Sequence, residues 1–320
     1  MMTYIKELTA QINKNQIYNI LDDINIDNIN INDSKILVNN FYQECLSSKF
    51  GNINKILNYI KNCNKVIKIY SKQNKNICFY LYSNNNDNSL FKLIKIYRRV
   101  LILNNIYNIN KNLNFHLALC KLKRFMPNKK EIFDCINFNG GFTTLTGNDI
   151  YIHRNCEYSK VILHELIHHI GIINDTTIKF DNNDIIKLKN KFNISIDTVL
   201  LPNESIIEFW ATLYNLIFIS NEYNINFDLL YKKELNFSYN QFLKIINHND
   251  NKEWFEKTNI YCYFIFKYIL LKNYKKFLAI KLPYNQKEFI NFLINNAKTI
   301  KITNKYKRNK NLNAMIFSSF

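Results

Sequence analysis

Apolar stretches alternate with Asn-rich polar stretches along the chain, and their spacing predicts strands and helices in its middle part. Residues 66–69 and 77–82 are rich in β-branched and aromatic side chains, which favours two strands. Apolar positions then recur at helical spacing over 89–103, where Ser89 is placed to cap a helix. Further strands are predicted at 115–122, 142–145 and 150–154, and a second helix at 157–171.

This order of elements predicts an α+β fold, because the second helix must lie on the sheet to bury its apolar side chains. Beyond residue 200 the pattern is mainly helical, with helices predicted at 203–220, 228–235, 239–247, 260–273 and 286–296. The predicted organisation is a helical or irregular segment (1–64), a sheet-and-helix subdomain (65–175), a helical subdomain (176–297) and a basic tail (298–320).

Composition excludes several classes of protein. The 320 residues include 47% hydrophobic and 15% aromatic residues, too many for a disordered chain. Only 5 Gly and 3 Pro are present, which argues against a Gly-rich phosphate-binding loop. The net charge of +18 is weak evidence for a polyanionic partner, because Lys, like the abundant Asn and Ile, is encoded by AT-rich codons. A solvated Lys-rich surface is the favoured explanation, so nucleic acid is kept only as an alternative partner.

The cysteines and the termini indicate an intracellular protein. The cysteines are odd in number and form no CxxC pair, which favours thiols in a reducing compartment. Lys6, Glu7 and Lys14 interrupt the region where a secretory signal would be apolar. The most apolar run, 260–271, contains Lys267 and is shorter than the roughly 18 residues of a membrane span, so no transmembrane segment is expected.

The stretch His164-Glu165-Leu166-Ile167-His168 carries the most specific chemistry in the sequence. Four residues of helix correspond to about 400° of rotation and about 6 Å of rise, so both imidazoles leave the same face and can hold one Zn²⁺ ion. The carboxylate of Glu165 lies beside them and can act as general base toward a metal-activated water. The alternative is a helix with two incidental histidines.

A catalytic zinc site needs a third protein ligand, and the sequence offers competing candidates. If the motif continued as HExxHxxGxxH, Gly171 would match the glycine and residue 174 would be the third ligand. Residue 174 is Asn, which is a poor zinc ligand. This metzincin-like pattern also requires a Met turn, and no Met lies between residues 127 and 314. The other candidates are Glu204 and Glu208, one turn apart on a helix that is predicted to begin with Asn203 as its N-cap. Two glutamates on a solvated helix face would look the same.

An Asn-Glu at a helix start, an acid four residues later and an upstream HExxH resemble the gluzincins, the thermolysin-like zinc peptidases. The resemblance implies a zincin-like fold in which Glu204 is the third ligand and Glu208 orients a ligand histidine. Glu208 with Ala211 also fits the Glu-x-x-Ala form that other gluzincins use for the ligand itself, so the two acids can exchange roles.

The stretch from Ile136 through Arg154 into the HExxH helix also resembles zincin-like metallopeptidases encoded by large DNA viruses of eukaryotes, which implies a location in the producing cell or in a virion. In zincins the strand before the active helix is the sheet edge that pairs with substrate. Residues 150–154 would then bind a peptide by strand addition, through Ile150, Ile152 and His153.

Downstream residues supply candidates for the donor to the oxyanion that forms during peptide hydrolysis. The resemblance places such a donor after the third ligand, and we name His248 and Tyr261 from a set that also holds Tyr231 and Tyr239. His169 lies about 140° from His164 around the helix and is predicted to be structural or solvent-facing.

The sequence therefore predicts a zinc metalloendopeptidase that acts on peptide or protein substrates. The alternative is a nucleic-acid-binding or virion structural protein with a zincin fold and a non-catalytic zinc site. Structural zinc sites are normally closed by Cys and His, and Cys156 is the one cysteine near the motif in sequence, which favours the enzyme.

Overall fold

The computed structural model describes residues 2–17, 23–47, 53–84, 90–128, 131–144, 147–170, 180–249, 253–280, 284–297 and 320. The chain divides into two compact units. The sheet unit comprises Met2–Leu122 and Asn139–Ile170, and the helical unit comprises Lys123–Phe138 and Gly171–Phe320.

The described residues include six strands: β1 (Ile24–Asn30), β2 (Lys65–Ser71), β3 (Ile77–Ser83), β4 (Leu113–Cys120), β5 (Gly141–Thr143) and β6 (Asp149–Arg154). They form one mixed sheet in the order β1-β2-β3-β4-β6-β5. The pairs β1/β2, β2/β3 and β5/β6 are antiparallel, whereas β3/β4 and β4/β6 are parallel.

Helices cover both faces of this sheet, as the nearly continuous burial of β4 and β6 requires. Tyr97 of α4 packs edge-on against Phe79 of β3 on one face, and α6 contacts β5 and β6. Phe41 of α2 packs against Tyr82 and Tyr151 on the other face. The helices of the sheet unit are α1 (Met2–Ile17), α2 (Lys35–Ser47), α3 (Ile53–Lys61), α4 (Leu90–Tyr107) and α6 (Tyr158–Ile170), with a 3₁₀ turn at Ile31–Ser34.

A row of stacked rings crosses four neighbouring strands on the face covered by α2. Tyr80, His116, Tyr151 and Phe142 are register partners on β3, β4, β6 and β5. Successive ring centroids are 5.3, 4.9 and 5.0 Å apart, with interplanar angles of 16°, 17° and 21°. Cross-strand pairs of this kind stabilise a sheet, so the row links β3, β4, β6 and the edge strand β5.

The helical unit is organised around α8, whose residues 204–218 are all buried. Helix α8 contacts α9, α10 and the π-helix that precedes α10. The helices of this unit are α5 (Cys135–Phe138), α7 (Asn182–Phe192), α8 (Asn203–Tyr223), α9 (Phe227–Asn249), the π-helix Tyr261–Phe266, α10 (Lys267–Lys272), α11 (Tyr274–Phe277) and α12 (Gln286–Ala297).

The α+β class is confirmed, and the predicted elements between residues 65 and 170 are all present. The segments predicted as helices at 228–235 and 239–247 are both helical, but the predicted break between them is wrong, because α9 runs through both. The intervening Asn and Ser are weak helix formers rather than helix breakers, and the Ser238 hydroxyl donates to Glu234 Oε1 at 3.1 Å within the helix. The Ile- and Asn-rich segment near residue 24 forms a strand rather than an irregular tract.

The seven cysteines form no disulfide, as expected for thiols: Cys45, Cys63, Cys120 and Cys262 are buried, and Cys78, Cys135 and Cys156 are half-buried. Within the described residues, no helix combines the length and apolar character needed to cross a bilayer. Ser89, Gly171, Asn174 and residues 298–319 lie outside the described residues.

Candidate metal centre

Helix α6 carries the two histidines of the HExxH motif on one face. Their ring centroids are 5.3 Å apart and the ring planes are inclined at 69°. His164 is buried, with 7% of its surface exposed, and His168 is half-buried. The i, i+4 spacing on a helix thus produces the predicted pair of adjacent imidazoles.

Glu165 follows His164 on this helix and is 6% exposed. A carboxylate this deep in a protein is rare unless a charge or a hydrogen-bond donor faces it. Burial also keeps bulk water away from a proton-transferring group, which suits a general base.

Helix α8 carries the two candidate acids one turn apart. Glu204 is 9% exposed and Glu208 is 2% exposed, so neither lies on a solvated helix face. The prediction that Asn203 is the N-cap is wrong, because Pro202 holds that position and Asn203 is the first helical residue. The Ser205 amide and hydroxyl both donate to the Pro202 carbonyl oxygen, which moves the helix start one residue earlier.

One nitrogen each from His164 and His168 and one carboxylate oxygen from Glu204 lie within 4.8 Å of one another. No other set of three or more His, Cys, Asp or Glu ligand atoms is grouped this closely among the described residues, and Glu208 is not a member of the set. Zinc bonds of about 2.0–2.2 Å in a tetrahedron place ligand atoms roughly 3.3–3.6 Å apart, so the three atoms would have to approach one another by at most about 1.5 Å to bind one ion. Two imidazoles and one carboxylate are a donor set that zinc accepts with one position left open.

Lys160 is a fully buried lysine on the same helix, and sequence reasoning missed it. It lies one turn before His164 on the same helical face and has no exposed surface. Fully buried lysines are uncommon without a partner. Its position four residues before His164 could have predicted this burial from the sequence. That spacing places the lysine on the same helix face as the candidate ligand, where a side chain is not expected to be solvated.

The prediction that residues 150–154 form the sheet edge is wrong, because β6 lies between β4 and β5. Ile150, Ile152 and His153 have no exposed surface, and His153 Nε2 lies 2.9 Å from the Asn139 carbonyl oxygen. Strand addition to β6 is therefore excluded, since its backbone groups already pair on both sides. Substrate contact by these three side chains stays a prediction.

The candidate oxyanion donors occupy different surroundings. The Tyr261 hydroxyl donates to the Phe192 carbonyl oxygen at 3.3 Å, and the ring of His248 lies 4.9 Å from that of Phe133. Burial raises the pKa of Tyr261, so its hydroxyl remains a proton donor at neutral pH. The Tyr231 hydroxyl donates to the Leu271 carbonyl oxygen, and Tyr239 stacks on Phe242. The roles of His248 and Tyr261 in catalysis stay predictions.

His169 has the structural position that its helical angle predicts. Its Nε2 lies 2.9 Å from the Thr143 hydroxyl oxygen, which fixes the end of α6 to β5.

No family model matches the chain, and comparison with curated proteins and with solved structures finds no similar protein.

Proposed function

We propose that this protein is a single-zinc metallopeptidase of the gluzincin type. The observation that supports the proposal is the grouping of His164, His168 and Glu204 ligand atoms, with Glu165 adjacent to the first ligand in the HExxH motif. The packing of α6 against β5 and β6 is compatible with a zincin-like fold, which forms part of the proposal.

The donor set defines how these residues would act. When bound, zinc supplies a Lewis acid that polarises a peptide carbonyl and lowers the pKa of a water. His164 and His168 would hold the ion as neutral imidazoles, and Glu204 would add one negative charge. Glu165 would accept a proton from the attacking water and deliver it to the departing amine nitrogen. The substrate class is therefore a peptide or an unfolded protein.

Metal content tests the ligand assignment directly. We expect purified wild-type protein to contain one zinc per chain by elemental analysis, and Glu204→Ala to lose most of it. Glu208→Ala should retain more zinc, because its role in the proposal is to orient a ligand histidine, with an expected loss of about 10–100-fold in affinity. If Glu208→Ala lost its zinc and Glu204→Ala kept it, Glu208 would be the third ligand and Glu204 the acid that orients a histidine. Wild-type protein without zinc would contradict the proposal.

Cleavage of an unfolded protein tests the role of Glu165. Glu165→Gln should keep zinc and lose about 10²–10⁴-fold in rate, because the amide cannot accept the proton. Glu288→Gln is the matched control, since Glu288 is exposed in the first turn of α12 and should leave both zinc and rate unchanged. Full activity in zinc-loaded Glu165→Gln would exclude this mechanism and favour the alternative of a binding or structural protein.

A further inference from the structure

A groove on the sheet unit lies outside the candidate metal centre. It runs between the 3₁₀ turn with α2 on one side and α3 on the other, and has a volume of about 460 Å³. This volume falls within the roughly 300–1,000 Å³ of small-molecule sites. All of its lining residues belong to the sheet unit.

The floor of the groove is apolar. Leu57, Ile60 and Cys63 line it and also belong to the hydrophobic core beneath α2 and α3. Val38 and Tyr42 are half-buried and pack against the same core. An apolar chain in the groove would therefore extend an existing core rather than cover an isolated surface side chain.

The rim of the groove is cationic. Lys35 and Lys61 line it and are exposed, and no acidic residue is among the lining residues. Within the described residues, neither ammonium group has an ion pair or a hydrogen bond. Asn32 and Asn39 add amide donors to the same rim. The groove thus combines an apolar floor with positive charge and hydrogen-bond donors.

We propose that this groove binds a fatty acid, with the alkyl chain on the apolar floor and the carboxylate at Lys35 and Lys61. A cationic amphiphile would meet two like charges, and a neutral one would leave both ammonium groups without a counter-charge. The apolar floor and the two exposed lysines together favour a single-chain carboxylate.

Calorimetric titration of the full chain tests this site with two probes of equal chain length and opposite charge. We expect dodecanoate, kept below its micelle concentration, to bind with one-to-one stoichiometry. Dodecyltrimethylammonium should bind at least about tenfold more weakly. The double substitution of Lys35→Gln and Lys61→Gln should weaken dodecanoate binding by about tenfold, because it removes both counter-charges.

Two further variants separate charge from packing. Val38→Trp should abolish dodecanoate binding by filling the groove while both lysines remain, and a cooperative thermal transition checks that it folds. Lys111→Gln is the matched control, because Lys111 is exposed and does not line the groove. Absence of dodecanoate binding to the wild type would overturn the proposal. Equal binding of the two probes, or unchanged dodecanoate affinity in both groove variants, would also overturn it.

Discussion

His116 lies at the centre of the stacked row and is held from both ring nitrogens. Its Nε2 is 3.3 Å from Asp149 Oδ1, and its Nδ1 is 3.4 Å from the Tyr82 hydroxyl oxygen. The Tyr82 hydroxyl donates to the Leu37 carbonyl oxygen at 3.1 Å. Hydrogen bonds from His116 and from Asn114 lower the pKa of Asp149, which keeps this carboxylate ionised at neutral pH.

The lowered pKa of Asp149 predicts an acid-dependent contribution to stability. Stabilisation by this carboxylate is present above its ordinary pKa of 3.8 and is lost as the pH falls through the lowered value. Asp149→Asn should reduce the free energy of unfolding by about 1 kcal/mol at pH 7, a value limited by partial solvent exposure. Urea unfolding at pH 7 and near pH 3 measures the difference, which should shrink in acid. Asp33→Asn, at an exposed position of the 3₁₀ turn, is the matched control.

Glu256 has the opposite pH behaviour because it is fully buried. Burial raises its pKa from 4.5 to about 8, although the Tyr261 amide donates to its carboxyl oxygens at 3.2 Å. The folded chain therefore holds a proton that the unfolded chain loses above pH 4.5. This carboxyl makes the fold less stable as the pH rises from about 4.5 to about 8.

Glu256→Gln should remove that pH dependence, because the amide stays neutral and can still accept from Tyr261. We expect the variant to gain stability relative to wild type between pH 5.5 and pH 8.5, by more than about 1 kcal/mol. Denaturant unfolding at both pH values, with zinc kept at one concentration, measures the gain. A constant difference between the two proteins would show that Glu256 is ionised in the folded state.

At the scale of elements, asparagine takes the place of glycine at helix ends. Asn193 and Asn224 are the C-caps that follow α7 and α8, and their φ angles of 53° and 51° lie in the left-handed region. Their backbone N–H groups donate to the carbonyl oxygens of Lys189 and Ser220. Glycine normally fills this position, and asparagine tolerates it best among the other residues. The Asn-rich, Gly-poor composition is thus compatible with ordinary helix termination.

Substitution of Asn224 tests this use of asparagine. Asn224→Gly should raise the free energy of unfolding by a few tenths of a kcal/mol to about 1 kcal/mol, because glycine has no Cβ strain at this φ angle. Asn224→Val should lower it by about 1–2 kcal/mol, because a β-branched residue is strained there. Thermal unfolding of both variants measures whether each substitution raises or lowers the free energy of unfolding. Destabilisation by glycine would mean that the Asn224 side chain itself stabilises the helix end.

Most elements were predictable because their signals are local. The spacing of His164 and His168 and that of Glu204 and Glu208 lie within single helices, so the sequence specifies them directly. The six-residue π-helix at Tyr261–Phe266 was not predictable, since its apolar run also fits an α-helix. The interior position of β6 was missed for a different reason, because strand order depends on pairing between distant segments.

At the scale of the whole molecule, metal binding and folding are expected to be coupled. A ligand that binds the folded chain alone stabilises it by RT ln(1 + [L]/Kd), about 4 kcal/mol at a thousandfold excess over Kd. Zinc added to chelator-treated protein should therefore raise the unfolding midpoint. The double variant His164→Ala, His168→Ala should show no shift, as measured by differential scanning calorimetry. An equal shift in that variant would place the zinc elsewhere.

The mixed sheet also sets the order in which the chain can fold. The antiparallel pairs β2/β3 and β5/β6 join strands that are close in sequence, whereas the parallel pair β3/β4 joins Ile77 to Leu113 across α4. Loop closure over such a distance costs entropy before any contact compensates for it. We expect the β2/β3 and β5/β6 pairs to form early and the parallel pairs β3/β4 and β4/β6 to form late. The slow event in folding is then the pairing of β4 with a preformed strand pair on each side, which places His116 between the rings of Tyr80 and Tyr151.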